Sequence, residues 1–166
     1  MALAGPPPTG PFRGCIPFDE GSAGVFFGRS NELADLYALV TSDALCAALV
    51  GEAGVGKTSL LRAGLLPALA RNGVLVVYVG AYDDLGQEIV SAASRVRAEP
   101  PAGNEDPADY VARLARTSRA GTLLVLDHLE TLVEAGHEGA SEKLAAVGAL
   151  LARATDLAGP RLRVLY

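Results

Sequence analysis

Short, uninterrupted apolar runs alternate along the chain with longer stretches in which apolar residues recur every three or four positions. The uninterrupted runs predict strands buried on both faces, because a half-exposed strand would alternate apolar and polar residues. These runs lie within the predicted strands at residues 44–50, 74–79 and 122–126, and a fourth strand is predicted at residues 162–166, where Arg163 interrupts the apolar pattern. The recurring positions predict helices, since side chains three or four residues apart share one helical face. The predicted helices begin near residues 30, 58, 85, 106 and 141.

Individual residues sharpen several element boundaries. Ser30 is predicted to cap the first helix, and Asp106 to cap a helix whose first position is Pro107. Pro67 should kink or end the helix that begins near residue 58, because proline lacks an N–H donor. Cys46 lies within the first apolar run, which predicts that it is buried.

The alternation of strands and helices predicts one α/β domain with parallel strands joined by right-handed crossovers. This domain is expected to span residues 25–166. Residues 1–24 are rich in proline and glycine and are predicted to form an extended N-terminal segment. Ligands of such sheets bind at the carboxyl ends of the strands, so functional residues are expected there.

Composition and charge argue against several classes of function. The chain has two lysines, twelve arginines and a net charge of −5, with no basic run that could neutralise a nucleic-acid backbone. No apolar stretch approaches the roughly 18 residues that span a bilayer, and the proline-rich start does not resemble a secretory signal. Two widely separated cysteines predict neither a disulfide framework nor a zinc site. We therefore expect a cytoplasmic protein without direct affinity for nucleic acid or membranes.

The first predicted strand leads into a glycine-rich stretch that matches the Walker A pattern, Gly51-x4-Gly56-Lys57-Thr58. Glycines let successive backbone N–H groups turn inward around a phosphate, and the following helix adds the positive end of its dipole. Lys57 is predicted to reach the β- and γ-phosphates, and the Thr58 hydroxyl to ligate Mg²⁺. The other residues predicted to contact phosphate here are Gly54, Val55 and Ser59.

The third predicted strand is followed by Asp127, as in the Walker B pattern. A carboxylate at the end of a buried strand can hold a water ligand of Mg²⁺ beside Thr58. Glu130 follows three residues later and is a candidate to orient or deprotonate an attacking water. The alternative for Glu130 is a charge at the start of a helix. The predicted catalytic residues are thus Lys57, Asp127 and Glu130.

Together these motifs resemble the STAND class of P-loop NTPases, the signal-transduction ATPases with numerous domains, and in particular the bacterial branch called novel STAND NTPase 1. The resemblance covers about residues 16–166. The matching stretches are residues 17–18, 26–29, 51–58, 61–69 and 126–132. The run at 61–69, Leu-Arg-Ala-Gly-Leu-Leu-Pro-Ala-Leu, is the most distinctive, because phosphate binding alone does not require it.

This resemblance implies a three-layer α-β-α P-loop NTPase fold with a mostly parallel sheet in the order 1-4-3-2, truncated before strand five. It implies a switch that binds ATP or ADP with Mg²⁺, exchanges the two, hydrolyses ATP slowly and forms a homo-oligomer on activation. Protein partners would bind through missing C-terminal domains. In relatives the Gly-Arg pair, here Gly28 and Arg29, lies on the adenine side of the pocket. Relatives usually have Gln or Asp after the Walker B Asp, whereas this chain has His128, whose role is left open.

Other functions fit parts of the same pattern. An AAA+ ATPase resembling origin-recognition proteins would act on nucleic acid, which the acidic charge argues against. A small-molecule kinase would need a lid with arginines, for which Arg113, Arg116 and Arg119 are candidates. A non-hydrolysing scaffold would use bound nucleotide only to stabilise an interaction surface. A GTPase is disfavoured, since the chain has no Asn-Lys-x-Asp motif.

Overall fold

A four-stranded parallel sheet forms the centre of the protein, with its strands in the order β1-β4-β3-β2. The computed structural model describes residues 16–80, 82, 84–97, 99–134 and 140–166. The strands are β1 (Cys46–Ala47), β2 (Leu75–Val79), β3 (Thr122–Leu126) and β4 (Leu162–Leu165). The predicted parallel topology and the strand order implied by the family resemblance are confirmed. Most of the predicted N-terminal segment, including Cys15, lies outside the described residues.

Helices cover both faces of the sheet, which gives three layers. On one face lie α4 (Leu85–Val96), α5 (Pro107–Thr117), α6 (Thr131–Glu134) and α7 (Ala140–Ala158). On the other lie α1 (Ser30–Thr41), α2 (Lys57–Ser59), a π-helical segment (Leu60–Leu65) and α3 (Leu66–Arg71). Short 3-10 helices span Glu20–Val25 and Gly159–Arg161. No helix in the described part of the chain is both long and apolar enough to cross a bilayer.

Successive residues of the central strand β3 pack into different cores. Leu124 and Leu126 pack against α4, α5 and α7, whereas Leu123 and Val125 pack against α1 and α3. All five residues of the strand are buried, because β3 has a strand on each side and helices on both faces. This two-sided burial explains why residues 122–126 contain no charged position, and the predicted strand is confirmed.

The first strand differs most from its prediction. Only two residues form β1, and Cys46 is exposed rather than buried. A hydrogen bond of 2.6 Å from the Leu49 N–H to the Tyr166 carbonyl extends the contact with the end of β4. Within the described sheet β1 is the outermost strand and has a neighbour on one side only, so its side chains are less covered. Apolar composition does not distinguish such an edge strand from a central one.

Of the two outcomes predicted for Pro67, a kink or an early end of the helix that follows the glycine-rich loop, the early end does not occur. Helical structure continues to Arg71, and Pro67 lies in the first turn of α3. The preceding turn is π-helical, with the Leu66 N–H bonded to the carbonyl of Leu61, five residues earlier. A change of helical register at this point accommodates a residue that lacks an N–H donor.

Two N-terminal details also differ from the predictions. Ser30 is the first residue of α1 and Arg29 is its N-cap, without a capping side-chain hydrogen bond. Glu20–Val25 form a 3-10 helix rather than an extended segment. The Asp19 carbonyl accepts a hydrogen bond from the Ser22 N–H at 3.0 Å, and the Asp19 carboxylate accepts one from the Ser22 hydroxyl. Local bonds of this kind favour a turn over extended chain.

Gly121 allows the connection from α5 to pass close to the start of β4. Its φ is +83°, and a Cβ there would lie 2.8 Å from the backbone oxygen of Arg161. We expect Gly121→Ala to lower the free energy of unfolding by roughly 2–4 kcal/mol, from left-handed strain and backbone overpacking together. Urea denaturation measures this loss. Gly103→Ala is the control, because Gly103 has a φ of +55° but nothing within 4 Å of an added Cβ. Equal losses in the two variants would contradict the packing argument.

Candidate nucleotide-binding site

The glycine-rich loop (residues 51–58) and the segment after β3 (residues 127–130) lie at the same edge of the sheet. The loop follows β1, the acidic segment follows β3, and both strands neighbour β4. Because these strands are parallel, their carboxyl ends meet at one edge. A cavity of about 400 Å³ lies between the two segments, within the range of pockets that hold small ligands. Predicted site residues that line it include Lys57, Thr58, Ser59 and Glu130.

Glycines shape the backbone of the loop at positions where other residues would not fit. Gly54 and Gly56 have φ values of 79° and 93°, in the left-handed region that residues with a Cβ rarely adopt. At Gly51 a Cβ would come within 3.1 Å of a methyl carbon of Val55. Helical structure begins at Lys57, directly after Gly56. The loop therefore leads into the free N–H groups of a helix start.

Lys57 folds back over the glycine-rich loop. Its ammonium group donates to the backbone oxygen of Gly51 at 2.7 Å and to that of Glu52 at 3.3 Å. Both acceptors are neutral, so anionic phosphate oxygens would be stronger partners for the same group. The positive charge thus lies where the loop borders the cavity.

Thr58 and Asp127, the residues predicted to hold the metal, both approach the ring of His128. The Thr58 hydroxyl lies 3.3 Å from Nε2 of His128, and Oδ2 of Asp127 lies 3.7 Å from the same nitrogen. The structure therefore brings the hydroxyl and the carboxylate close to the same ring nitrogen. His128 itself has a φ of 62°, which costs about 1–2 kcal/mol for a residue with a side chain. Strained backbone of this kind is concentrated at functional sites.

The Asp127 carboxylate is buried among neutral donors. Asp127 as a whole is only 5% exposed. Oδ2 accepts a hydrogen bond from the Tyr78 hydroxyl at 2.7 Å, and Oδ1 accepts one from the His128 N–H at 3.0 Å. The His128 ring would contribute positive charge only when protonated. Buried carboxylates are normally paired with a cation or bound to a metal, so this environment fits a divalent cation.

Two tyrosines support Asp127 from the side of β2. Tyr78 bonds to the carboxylate, whereas the Tyr82 hydroxyl donates to the Asp127 backbone oxygen at 2.7 Å. Burial is the largest cause that raises the pKa of both phenols; the next is the hydrogen bond to Asp127 for Tyr78 and the negative charge of Asp127 for Tyr82. Both hydroxyls therefore stay protonated at neutral pH and act as donors.

Glu130 lines the cavity but is partly open to solvent. Its side chain is 47% exposed, and Oε1 lies 3.8 Å from Nδ1 of His128. This position fits a group that acts on water entering the cavity better than one that holds a metal directly.

Arg29 reaches the glycine-rich loop from the start of α1. Its Nη1 donates to the Val55 carbonyl at 3.0 Å, and its Nε pairs with Glu32 at 2.6 Å. Gly28 precedes it with a φ of 84°. Of the two residues predicted to lie on the adenine side of the pocket, Arg29 bonds to the loop, and Gly28 forms the turn before Arg29.

The described N-terminal residues form one wall of the same cavity. Pro17 and Phe18 line it together with Thr58. The Phe18 N–H also donates to the Ser59 hydroxyl at 3.1 Å. Composition alone did not predict this placement; the only signal was that the family resemblance already begins at Pro17 and Phe18.

The described side chains do not by themselves form a complete metal site. No group of three or more His, Cys, Asp or Glu side chains in the described ranges could hold a metal ion. Mg²⁺ usually takes one or two protein ligands and fills its remaining positions with phosphate oxygens and water. Thr58 and Asp127 fit that requirement, which favours a metal that arrives with a nucleotide.

The sequence interpretation missed Tyr78 and Tyr82. Tyr78 is the one residue with a polar group in the apolar run 74–79, and a buried phenol needs a hydrogen-bond partner. That signal could have marked Tyr78 as unusual. It could not have identified Asp127 as the partner, because the contact depends on the pairing of β2 with β3.

Of the comparisons with known proteins, one identifies a family. No curated protein and no solved structure matches the chain significantly. The model of one family, described as Novel STAND NTPase 1, matches residues 11–166. The match includes the whole sheet, the glycine-rich loop and residues 127–130. The chain therefore belongs to the novel STAND NTPase 1 family.

Proposed function

We propose that this domain binds ATP or ADP together with Mg²⁺ and acts as the nucleotide-dependent switch of a signalling protein. The observation that carries the proposal is the cavity lined by Lys57, Thr58 and Glu130 beside the buried carboxylate of Asp127. Membership of an NTPase family makes nucleotide the expected ligand of such a cavity. Adenine is favoured by the family resemblance and by the lack of an Asn-Lys-x-Asp motif.

Each residue has a chemical role in this proposal. Lys57 and the loop N–H groups would bind the phosphates, and Thr58 and Asp127 would hold Mg²⁺. The cation would neutralise charge on the phosphate oxygens. Glu130 would orient a water molecule or accept its proton. Lys57 bonds to a carbonyl of the loop. Lys57 and Glu130 both line the cavity, so the two groups would border a terminal phosphate bound there.

Exchange of ADP for ATP, followed by slow hydrolysis, would control assembly with further copies of the chain or with protein partners. The contact between Phe18 and Ser59 supports such a role. This hydrogen bond joins a residue outside the sheet to a hydroxyl in the proposed phosphate site. A nucleotide that changes the hydrogen bonding of Ser59 would therefore change the position of the N-terminal residues.

A non-hydrolysing scaffold is the second candidate function. It is favoured by the exposure of Glu130 and by the presence of His128 directly after Asp127. A group that is half open to solvent is less firmly placed to activate water than a buried one. In this alternative the nucleotide would stabilise the domain without being turned over.

Calorimetric titration of the chain with ADP, ATP and GTP, each with Mg²⁺, tests the proposed function. We expect one adenine nucleotide to bind per chain and GTP to bind about tenfold more weakly or worse, a difference of about 1.4 kcal/mol. Chelation of Mg²⁺ by EDTA should weaken binding. The absence of any saturable binding would refute the proposal, and equal affinities for ATP and GTP would refute its adenine preference.

A further inference from the structure

The distinctive run at residues 61–69 contains an arginine that the proposed nucleotide site does not use. Arg62 lies in the π-helical segment, facing the N-terminal residues and β2. Its Nε and Nη2 donate to the two carboxylate oxygens of Glu20 at 3.0 and 2.9 Å. This bidentate contact fixes the plane of the guanidinium group, and the guanidinium lowers the pKa of the Glu20 carboxyl.

The fixed guanidinium group packs over the ring of Tyr78. The central carbon of the Arg62 guanidinium lies 5.6 Å from the centroid of that ring, within the range of a cation–π contact. Tyr78 is half-buried on β2 and pairs with Val125 on β3, two residues before Asp127. This register directs the phenol toward the end of β3, where its hydroxyl meets the Asp127 carboxylate.

We infer that Tyr78 is a positioning residue for the cation-holding carboxylate of Asp127, an inference that rests on the proposed function. The Tyr78 hydroxyl holds Oδ2 and the His128 N–H holds Oδ1, so both oxygens are fixed. A carboxylate has about four acceptor positions, so capacity remains for a cation or its water ligands. Hydrogen-bond partners of metal-holding groups typically change metal affinity 10- to 100-fold when they are removed. Arg62 supports this arrangement by holding the ring, and Glu20 by holding Arg62.

Tyr82 provides a matched comparison within the same site. Its hydroxyl also bonds to Asp127 at 2.7 Å, but to the backbone oxygen rather than the carboxylate. Removal of either hydroxyl leaves the aromatic ring and removes one hydrogen bond, from a neutral donor, to the same residue. Only removal of the Tyr78 hydroxyl releases a carboxylate oxygen, because Tyr82 bonds to the backbone.

The test compares ADP affinity with excess Mg²⁺ and with EDTA, in wild type, Tyr78→Phe and Tyr82→Phe. The ratio of the two affinities measures the contribution of Mg²⁺. We expect Tyr78→Phe to lower this ratio about tenfold or more, with the affinity in EDTA within about twofold of wild type, because the phosphate loop is untouched. Tyr82→Phe should keep the ratio, even if its melting temperature falls.

Arg62→Gln is a second variant that leaves Tyr78 intact. It should lower the same ratio about two- to fivefold, the effect of a modest cation–π contact. An unchanged ratio in Tyr78→Phe would overturn the inference while the proposed function stands. This outcome includes an equal loss of ADP affinity with Mg²⁺ and with EDTA. If Tyr78→Phe does not fold, an unchanged ratio in Arg62→Gln would overturn it. A wild-type chain that binds no nucleotide would instead refute the proposed function, and the inference with it.

Discussion

Replacement of Lys57 with alanine is expected to weaken MgATP and MgADP binding by about 100-fold or more, a loss of about 2.7 kcal/mol. The ammonium group is bonded to two carbonyl oxygens of the glycine-rich loop, beside the cavity that we assign to the phosphates. Hydrogen bonds to charged groups contribute about 1.5–3 kcal/mol each, and alanine can make none of them. Calorimetric titration measures the loss directly.

Lys143→Ala is the matched control, because Lys143 is the only other lysine in the chain. It lies on α7 and lines a different cavity, beside Leu132 and Val147. This variant should bind MgATP as wild type does. Both variants should keep their far-ultraviolet circular dichroism, since the Lys57 side chain is partly exposed and lies outside both hydrophobic cores. Unchanged MgATP affinity in Lys57→Ala would refute the assignment of the loop as a phosphate site.

The elements that the sequence predicted well are those whose burial or chemistry is local. The run at residues 122–126 is buried on both faces, so its composition reports its environment without ambiguity. Asp106 accepts a hydrogen bond from the Ala108 N–H at 2.9 Å, as its pairing with Pro107 predicted. The strand order, in contrast, was implied by the family resemblance, because periodicity does not specify which strands are neighbours.

The features that the sequence could not predict depend on contacts between distant segments. The apolar run at 44–50 predicts a buried strand, but β1 lies at the edge of the described sheet and Cys46 is exposed. Tyr78 and Asp127 meet only because β2 and β3 pair in one particular register. The two halves of the candidate site, residues 51–58 and 127–130, were recognisable because each is a local pattern directly after a predicted strand. The residues that support them lie elsewhere in the chain.

His128 illustrates the same limit within the candidate site. From the sequence, the family resemblance implied only that His128 stands where relatives usually have Gln or Asp. The structure places its ring between Thr58 and Glu130, at 3.3 Å from the former and 3.8 Å from the latter. Its left-handed backbone also turns the chain between Asp127 and Glu130. The position of Glu130 therefore depends on a turn that no local pattern announced.

Replacement of Glu130 with glutamine is expected to slow single-turnover hydrolysis of MgATP by about 10²- to 10⁴-fold, the usual contribution of a general base. Glutamine has nearly the same shape as glutamate but cannot accept the proton of an attacking water. Binding of MgATP should change by less than about twofold, because Lys57, Thr58 and Asp127 are untouched. The rate is measured with the chain in excess over radiolabelled ATP, which detects even one slow turnover.

Glu142→Gln is the control for loss of one negative charge, because Glu142 lies in the exposed first turn of α7. It should hydrolyse ATP at the wild-type rate. A wild-type rate in Glu130→Gln would remove Glu130 from the catalytic role and leave it as a charge near a helix start. If wild type itself gives no product above the uncatalysed rate while it still binds MgATP, the non-hydrolysing scaffold becomes the better account. The exposure of Glu130 would then be its physical explanation, since a carboxylate half open to solvent holds water less firmly in one reactive orientation.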